Sequence, residues 1–261
     1  MTETSETSDV AVTLDQRVLT IRLDRVKKKN ALTLAMYDAM NAALQRAVDD
    51  PQIRVVVLRG ADGCFTAGND LADFMQRPPT SADSPVGRFL GLLGSFPKPL
   101  VAAVSGVAIG VGTTLLLHCD LVYAASDARL QLPFVPLGLS PEAGSSVLLP
   151  QLVGHARASE LLLFGEPFDA ATALALGLVN RVLEPAQLHD YVQSRAHALA
   201  ALPPASIRLT KRLLREGGRE TLTACMAAEA EAFFERLRSP EAAEAMSAFF
   251  GKRKPDFSRF D

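Results

Sequence analysis

The sequence predicts an α/β fold that turns all-helical in its last third. Short β-branched runs alternate with helical patterns up to about Leu183, and several of those runs are apolar without alternation, as in parallel strands covered on both faces. Beyond Leu183 only helical patterns remain. The 261 residues suit one large domain or two small ones at roughly 100–200 residues each. No stretch rich in Gly, Ser or Pro divides them.

Met1–Asp9 is polar and acidic and reads as a flexible tail. Val10–Leu14 and Val18–Leu23 flank Asp15-Gln16-Arg17 as a hairpin. Thr33 then caps a helix with Leu34, Met40, Leu44, Ala47 and Val48 on one face, stopped by Asp49-Asp50-Pro51. Val55–Leu58 is a buried strand, Phe65–Ala67 a further short strand, and Asp70–Met75 a helix. Pro78–Pro85 reads as a mobile loop by composition. Pro97-Lys98-Pro99 ends the next helix, and Leu100–Val104 and Leu121–Ala124 repeat the buried-strand pattern. Four helices follow, over Gln187–Leu202, Ser206–Arg215, Thr221–Leu237 and Glu241–Phe250. The last two carry Leu222, Met226, Phe233, Phe234, Met246, Phe249 and Phe250. That is more apolar bulk than one thin layer hides, so these residues form an interface, complete the chain's own core, or do both.

Composition removes several function classes. There are 27 Lys+Arg against 29 Asp+Glu, a formal net charge of -2, which is unlike a nucleic-acid-coating protein. Cys64, Cys119 and Cys225 lie far apart with no C-x-x-C, which argues against a disulfide framework or a zinc site. The longest apolar stretch, Val101–Leu117, contains Gly106-x-x-x-Gly110 but is interrupted by Ser105, Thr113 and Thr114; a strand, a glycine turn and a short helix fit it better than a membrane span. The N-terminus lacks a signal-peptide pattern and the C-terminus is not of the S-K-L type, so the cytoplasm is the expected compartment.

No P-loop, H-E-x-x-H or G-x-G-x-x-G is present, and the four histidines are scattered. Two glycine turns sit at predicted strand-to-helix junctions: Phe65-Thr66-Ala67-Gly68-Asn69-Asp70-Leu71 and Gly106-Val107-Ala108-Ile109-Gly110-Val111-Gly112. Backbone N–H groups at such junctions can hold an anionic oxygen without a charged side chain, or the glycines can serve tight packing alone. Glu142 is the only carboxylate between Leu130 and Val153. It is either a helix cap or a base with a raised pKa.

Taken together, Arg25-Val26-Lys27-Lys28-Lys29-Asn30-Ala31-Leu32, the Phe65–Leu71 motif, Pro97–Gly106, Gly110-Val111-Gly112 and Cys119-Asp120 resemble the crotonase (enoyl-CoA hydratase/isomerase) superfamily over almost the whole chain. The resemblance implies a spiral of ββα units with a C-terminal helical trimerisation region: a tail over 1–9, an acyl-CoA-binding core over 10–200, and an oligomerisation region over 201–261. It implies an acyl-CoA substrate, no separate cofactor and no metal, coenzyme A being part of the substrate, and a homotrimer or a hexamer of two trimers. The thioester oxygen would be held by the N–H groups of Ala67 and Val111. The two glutamates of the superfamily's hydratases match Thr114 and Phe134 here, so hydration loses both its carboxylates. Ser140-Pro141-Glu142-Ala143-Gly144-Ser145-Ser146 is instead similar to the peroxisomal-type enoyl-CoA isomerases, whose single catalytic glutamate matches Glu142. Lys27, Lys29, Ala31, Gly68, Asn69, Asp70 and Leu71 match the coenzyme A pocket, with Lys254 reaching a phosphate. Val26 departs from the proline usual at its position. The alternatives are a hydratase or other thioester enzyme of the same fold, and a non-catalytic CoA-binding scaffold.

Overall fold

The computed structural model describes residues 3–7, 9–78, 81 and 83–260. In chain order its first elements are β1 (Glu3–Thr7), β2 (Val10–Asp15), β3 (Val18–Leu23), α1 (Leu34–Asp49) and β4 (Val55–Gly60). Next come α2 (Leu71–Gln76), α3 (Pro85–Ser95), β5 (Leu100–Val104), β6 (Val107–Ile109), α4 (Val111–Thr114), β7 (Leu121–Ala125) and β8 (Arg129–Gln131). The remainder is α5 (Ser145–Val153), α6 (His155–Phe164), β9 (Phe168–Asp169), α7 (Ala170–Ala175), β10 (Arg181–Leu183), α8 (Pro185–Ala201), α9 (Pro204–Glu216), α10 (Arg219–Leu237) and α11 (Pro240–Phe250). The α/β-then-helical order expected from the sequence is the order found.

Seven strands form one sheet in the order β1-β2-β3-β4-β5-β7-β10, and a second sheet runs β6-β8-β9. β4 pairs parallel to both β3 and β5, which explains its lack of alternation. Val18, Val55, Val57, Val101 and Tyr123 pack against Leu188, Val192 and Ala196 of α8. Their neighbours Leu19, Ile21, Val56, Leu58 and Ala102 point the other way into the main core. Thr33 does cap α1, its hydroxyl accepting from Met36 N–H at 3.3 Å.

Two expectations need correction. Glu3–Thr7 is not a loose tail: its backbone pairs antiparallel with β2, from Glu3 opposite Leu14 to Thr7 opposite Val10. A Thr-containing run beside a β-branched strand needs only a turn to join it, and acidic composition suits a sheet edge. Residues 1, 2 and 8 of that segment lie outside the described residues. Phe65–Ala67 is not a strand but a lone bridge of Thr66 to Ala108. Its N–H groups are divided between two segments, those of Phe65 and Thr66 going to Ser105 and Val107 and that of Ala67 to Lys29, so the pairing beside Ala108 stops after one bridge. The loop expected over Pro78–Pro85 includes residues 79, 80 and 82, outside the described residues.

The last third is fastened to the core. Lys211 of α9 donates to the Lys98 carbonyl at 2.6 Å and to Asp120 at 2.7 Å, and Arg236 of α10 donates to the Gly138 carbonyl at 3.1 Å. Phe233 and Met246 are buried, whereas Phe249 and Phe250 are 58% and 53% exposed, so the apolar bulk of the C-terminal helices is divided between core and surface. Among the described residues, no helix is long and apolar enough to cross a membrane.

Candidate active site

The two glycine turns meet. Gly68 has φ +83°, and a Cβ there would lie 2.6 Å from the Ile109 carbonyl oxygen, so the first turn can press on the second only with glycine at this position. In the first turn, Leu32 N–H donates to the Gly68 carbonyl and Asp70 N–H to the Leu32 carbonyl, both at 2.8 Å. The Gly68 carbonyl and the Asp70 N–H thus both face Leu32. The Asn69 N–H shares a trans peptide with the Gly68 carbonyl and so points away from Leu32, and Asn69 lines a cavity of about 990 Å³.

Ala67 is a correction. Its N–H already donates to the Lys29 carbonyl at 2.9 Å and cannot serve a ligand. The N–H two residues on, at Asn69 beside the cavity, has no acceptor among the described residues. The alternation that distinguishes them depends on pairing with Leu32, 37 positions earlier in the chain, which no local spacing encodes. In the second turn, Val111 is the first residue of α4 and has no carbonyl one turn behind it to accept its N–H. Gly110 ahead of it is pinned by its own N–H to Gln131 at 2.9 Å.

Glu142 lines the same cavity, whose walls include Phe74, Leu90, Met226 and Phe234. The Thr114 hydroxyl, from the end of α4, donates to its Oε1. Burial pushes the Glu142 carboxyl up to about 7; the Thr114 hydrogen bond draws it down, and the Glu229 carboxylate adds to the rise. The helix-cap reading of Glu142 fails, because the N-terminus of α5 is served by Glu229 of α10, which accepts from Gly144 N–H at 2.5 Å and Ser146 N–H at 2.8 Å. Tyr37, buried in α1, donates to the Asn69 side chain at 2.6 Å; burial foremost, and then the charge of Glu142, raises its phenol well above its ordinary value. Phe134 is buried and supplies no carboxylate. Of the matched positions, Thr114 and Glu142 thus converge, and a residue whose importance the sequence suggested only as a missing glutamate turns out to hold the remaining one.

The matched coenzyme A residues divide. The loop carrying Lys27 and Lys29 adjoins the Phe65–Leu71 motif through Ala67 N–H and through Cys64 Sγ, 3.4 Å from the Lys29 carbonyl, and both lysines are exposed. Ala31 and Gly68 spend their backbone groups internally, Ala31 on Lys28 and Arg25 and Gly68 on Thr66 and Leu32. Asp70 pairs with Arg25 at 2.7 Å and caps α2 through Ala72 and Asp73, so its carboxylate is committed to the fold, while Leu71 opens that helix. Lys254 is exposed beyond α11, where its carbonyl accepts from Arg253. Among the described residues, no group of three or more His, Cys, Asp or Glu side chains could hold a metal ion.

The pattern of the enoyl-CoA hydratase/isomerase family matches residues 13–259. Human enoyl-CoA delta isomerase 2 is 36% identical over 251 residues, which cover 94% of this chain and 64% of that protein, so the chain spans less than two thirds of this relative's length. The 2,3-dehydroadipyl-CoA hydratase of Escherichia coli K12 is 34% identical over 251 residues, 96% of this chain and 98% of the hydratase. A crystal structure of an enoyl-CoA hydratase/isomerase from Pseudoalteromonas atlantica T6c superposes with a TM-score of 0.92 at 44% identity, covering 96% of this chain and 100% of that one. With the family pattern spanning nearly every residue and an α/β core closed by C-terminal helices, this chain belongs to the enoyl-CoA hydratase/isomerase family.

Proposed function

We propose that the chain is an isomerase that moves the double bond of a 3-enoyl-CoA to the trans-2 position, with Glu142 as its single proton shuttle. The observation that carries this reading is one raised carboxyl, bonded to Thr114 inside an apolar cavity, where the second position matched to a hydratase glutamate holds Phe134. The N–H groups of Asn69 and Val111 hold the thioester oxygen. Glu142 takes a proton from carbon 2, and the electron pair moves into a dienolate whose charge rests on that oxygen. The same carboxyl returns the proton to carbon 4; no water is consumed and the thioester stays intact. With Thr114 on Oε1, the other oxygen is left to carry the proton. Lys27 and Lys29 face the phosphates, and Lys254 serves the same group from the C-terminal segment. Coenzyme A enters as part of the substrate.

Turnover requires the ionised carboxylate, so kcat is expected to rise with pH through about 7. Thr114→Val removes the hydrogen bond that lowers the Glu142 pKa and should move that limb to higher pH; an unmoved limb in a folded variant contradicts the pairing.

The hydratase among the relatives favours a second reading, in which the chain adds water to a 2-enoyl-CoA. A spectrophotometric comparison separates the two. Conversion of 3-hexenoyl-CoA should exceed hydration of trans-2-hexenoyl-CoA by on the order of 100-fold or more, because one carboxylate must do what hydration divides between two. Comparable rates would favour the hydratase.

Assembly is part of the proposal. Leu213 and Leu214 of α9 are 66% and 82% exposed, close to Leu209 and apart from the exposed Phe249 and Phe250 in sequence, and a homotrimer or a hexamer of two trimers would cover such surfaces. Sedimentation equilibrium at micromolar concentration should give a multiple of three; a stable, active monomer of 27.9 kDa would overturn it.

A further inference from the structure

We propose that Glu229 of α10 is a positioning residue for Glu142, holding the backbone turn that aims the base into the cavity. The proposal rests on Glu142 being the base.

The two residues after Glu142 are both left-handed, Ala143 at φ +61° and Gly144 at φ +71°. For alanine this is an unfavourable conformation that the surroundings must impose. Three residues impose it. Glu229 accepts from Gly144 N–H and Ser146 N–H at 2.5 and 2.8 Å. The ring of His118 meets the Ala143 carbonyl at 2.7 Å; a carbonyl only accepts, so Nε2 carries the hydrogen. Burial foremost pushes His118 down to about 4, which keeps it neutral. Ser145 closes the turn, donating from N–H and Oγ to the Glu142 carbonyl at 3.1 and 2.6 Å.

Of these clamps, only Glu229 brings a carboxylate. Helix α5 has Gly144 at its cap position and no side-chain cap of its own, so the acceptor its first N–H groups need comes from a buried glutamate about 85 residues later in the chain. A local Ser or Asp would cap the helix equally well. A glutamate from α10 does something further: it ties the cavity wall that carries Met226 to the loop that carries the base, and it sets a second negative charge beside Glu142.

The groups facing these carboxylates are few. Glu229 meets α5 through the two N–H groups and, on its own helix, the Cys225 thiol 3.5 Å from Oε1. Glu142 meets Thr114 from α4, Tyr37 from α1 and Glu229 from α10. The Tyr37 phenol and the Cys225 thiol are both pushed up by burial and stay neutral at neutral pH, and Arg215 and Lys211 act on His118. Replacing Glu229 therefore changes both the aim and the basicity of Glu142.

The test is steady-state kinetics against pH on full-length Glu229→Gln, Glu229→Ala and Glu142→Gln, using 3-hexenoyl-CoA. Glu229→Gln keeps the size and one acceptor; kcat should fall about ten-fold, KM should hold, and the acid limb should move to lower pH as the neighbouring charge goes. Glu229→Ala frees the turn and should cost on the order of 100-fold in kcat. A cap with no role in catalysis would lower the melting temperature and leave the limb in place. If neither Glu229 variant folds, Glu229→Asp, which keeps the charge on a shorter stem, should retain the limb and lose kcat. Glu142→Gln inactive with Glu229→Gln folded and unchanged in kcat and limb overturns the positioning role alone. Glu142→Gln with wild-type turnover overturns both.

Discussion

Glu142→Gln is expected to lower kcat for 3-enoyl-CoA isomerisation by on the order of 100- to 10,000-fold, with KM and fold retained. The amide keeps the length of the side chain and can still contact Thr114, but it cannot accept the carbon-2 proton. Stability should move the other way. The Glu142 carboxyl is raised from 4.5 to about 7 in the folded chain, so the folded state holds a proton that the unfolded state has released between those pH values. Wild-type stability therefore falls as pH climbs from about 4.5 to about 7, and above that range the buried charge opposes folding in full. Glu142→Gln never carries the charge. Its melting temperature should exceed that of the wild type at pH 8, and the advantage should vanish below about pH 4.5. A variant less active but no more stable at pH 8 would mean that burial does not set the pKa of Glu142.

Val111→Pro should lower kcat by roughly 100–1000-fold, the usual loss for one oxyanion donor. The substitution deletes the N–H itself. Proline is well suited to the first position of a helix, where it forfeits no helical hydrogen bond, and Val111 occupies that position in α4. The bonds that close the turn, from Thr113 and Thr114 N–H to the Gly110 carbonyl, do not involve the lost group. Circular dichroism should therefore match the wild type, and binding of a saturated acyl-CoA should change far less than turnover. A folded Val111→Pro enzyme with unchanged kcat would remove Val111 from the oxyanion site.

Much of this architecture is legible in the sequence. The apolar run Val55–Leu58 announced a strand covered on both faces, Thr33 and Asp49-Asp50-Pro51 bracketed α1, and the helical last third was plain from its patterns. Glu142 stood out as a lone carboxylate in an apolar stretch. What local patterns could not supply was pairing at a distance. Whether Ala67 or Asn69 presents a free N–H depends on Leu32 and Lys29. That Thr114 bonds the base depends on α4 meeting the loop before α5. Glu229 reads in the sequence as one acidic residue among several on a long helix, and only tertiary packing sets it against the N-terminus of α5. The edge strand β1 carries no such signal for a related reason, since a polar run has no apolar periodicity and joins the sheet only because β2 offers an edge.

The central claim, one carboxyl carrying one proton across the acyl chain, is tested most directly by the fate of that proton. A single-turnover reaction of 3-hexenoyl-CoA bearing deuterium at carbon 2, run in ordinary water, is read by mass spectrometry of the trans-2-hexenoyl-CoA formed. A shuttle buried in an apolar cavity predicts deuterium at carbon 4 of the product. Product formed at the full rate with only hydrogen at carbon 4 would contradict it.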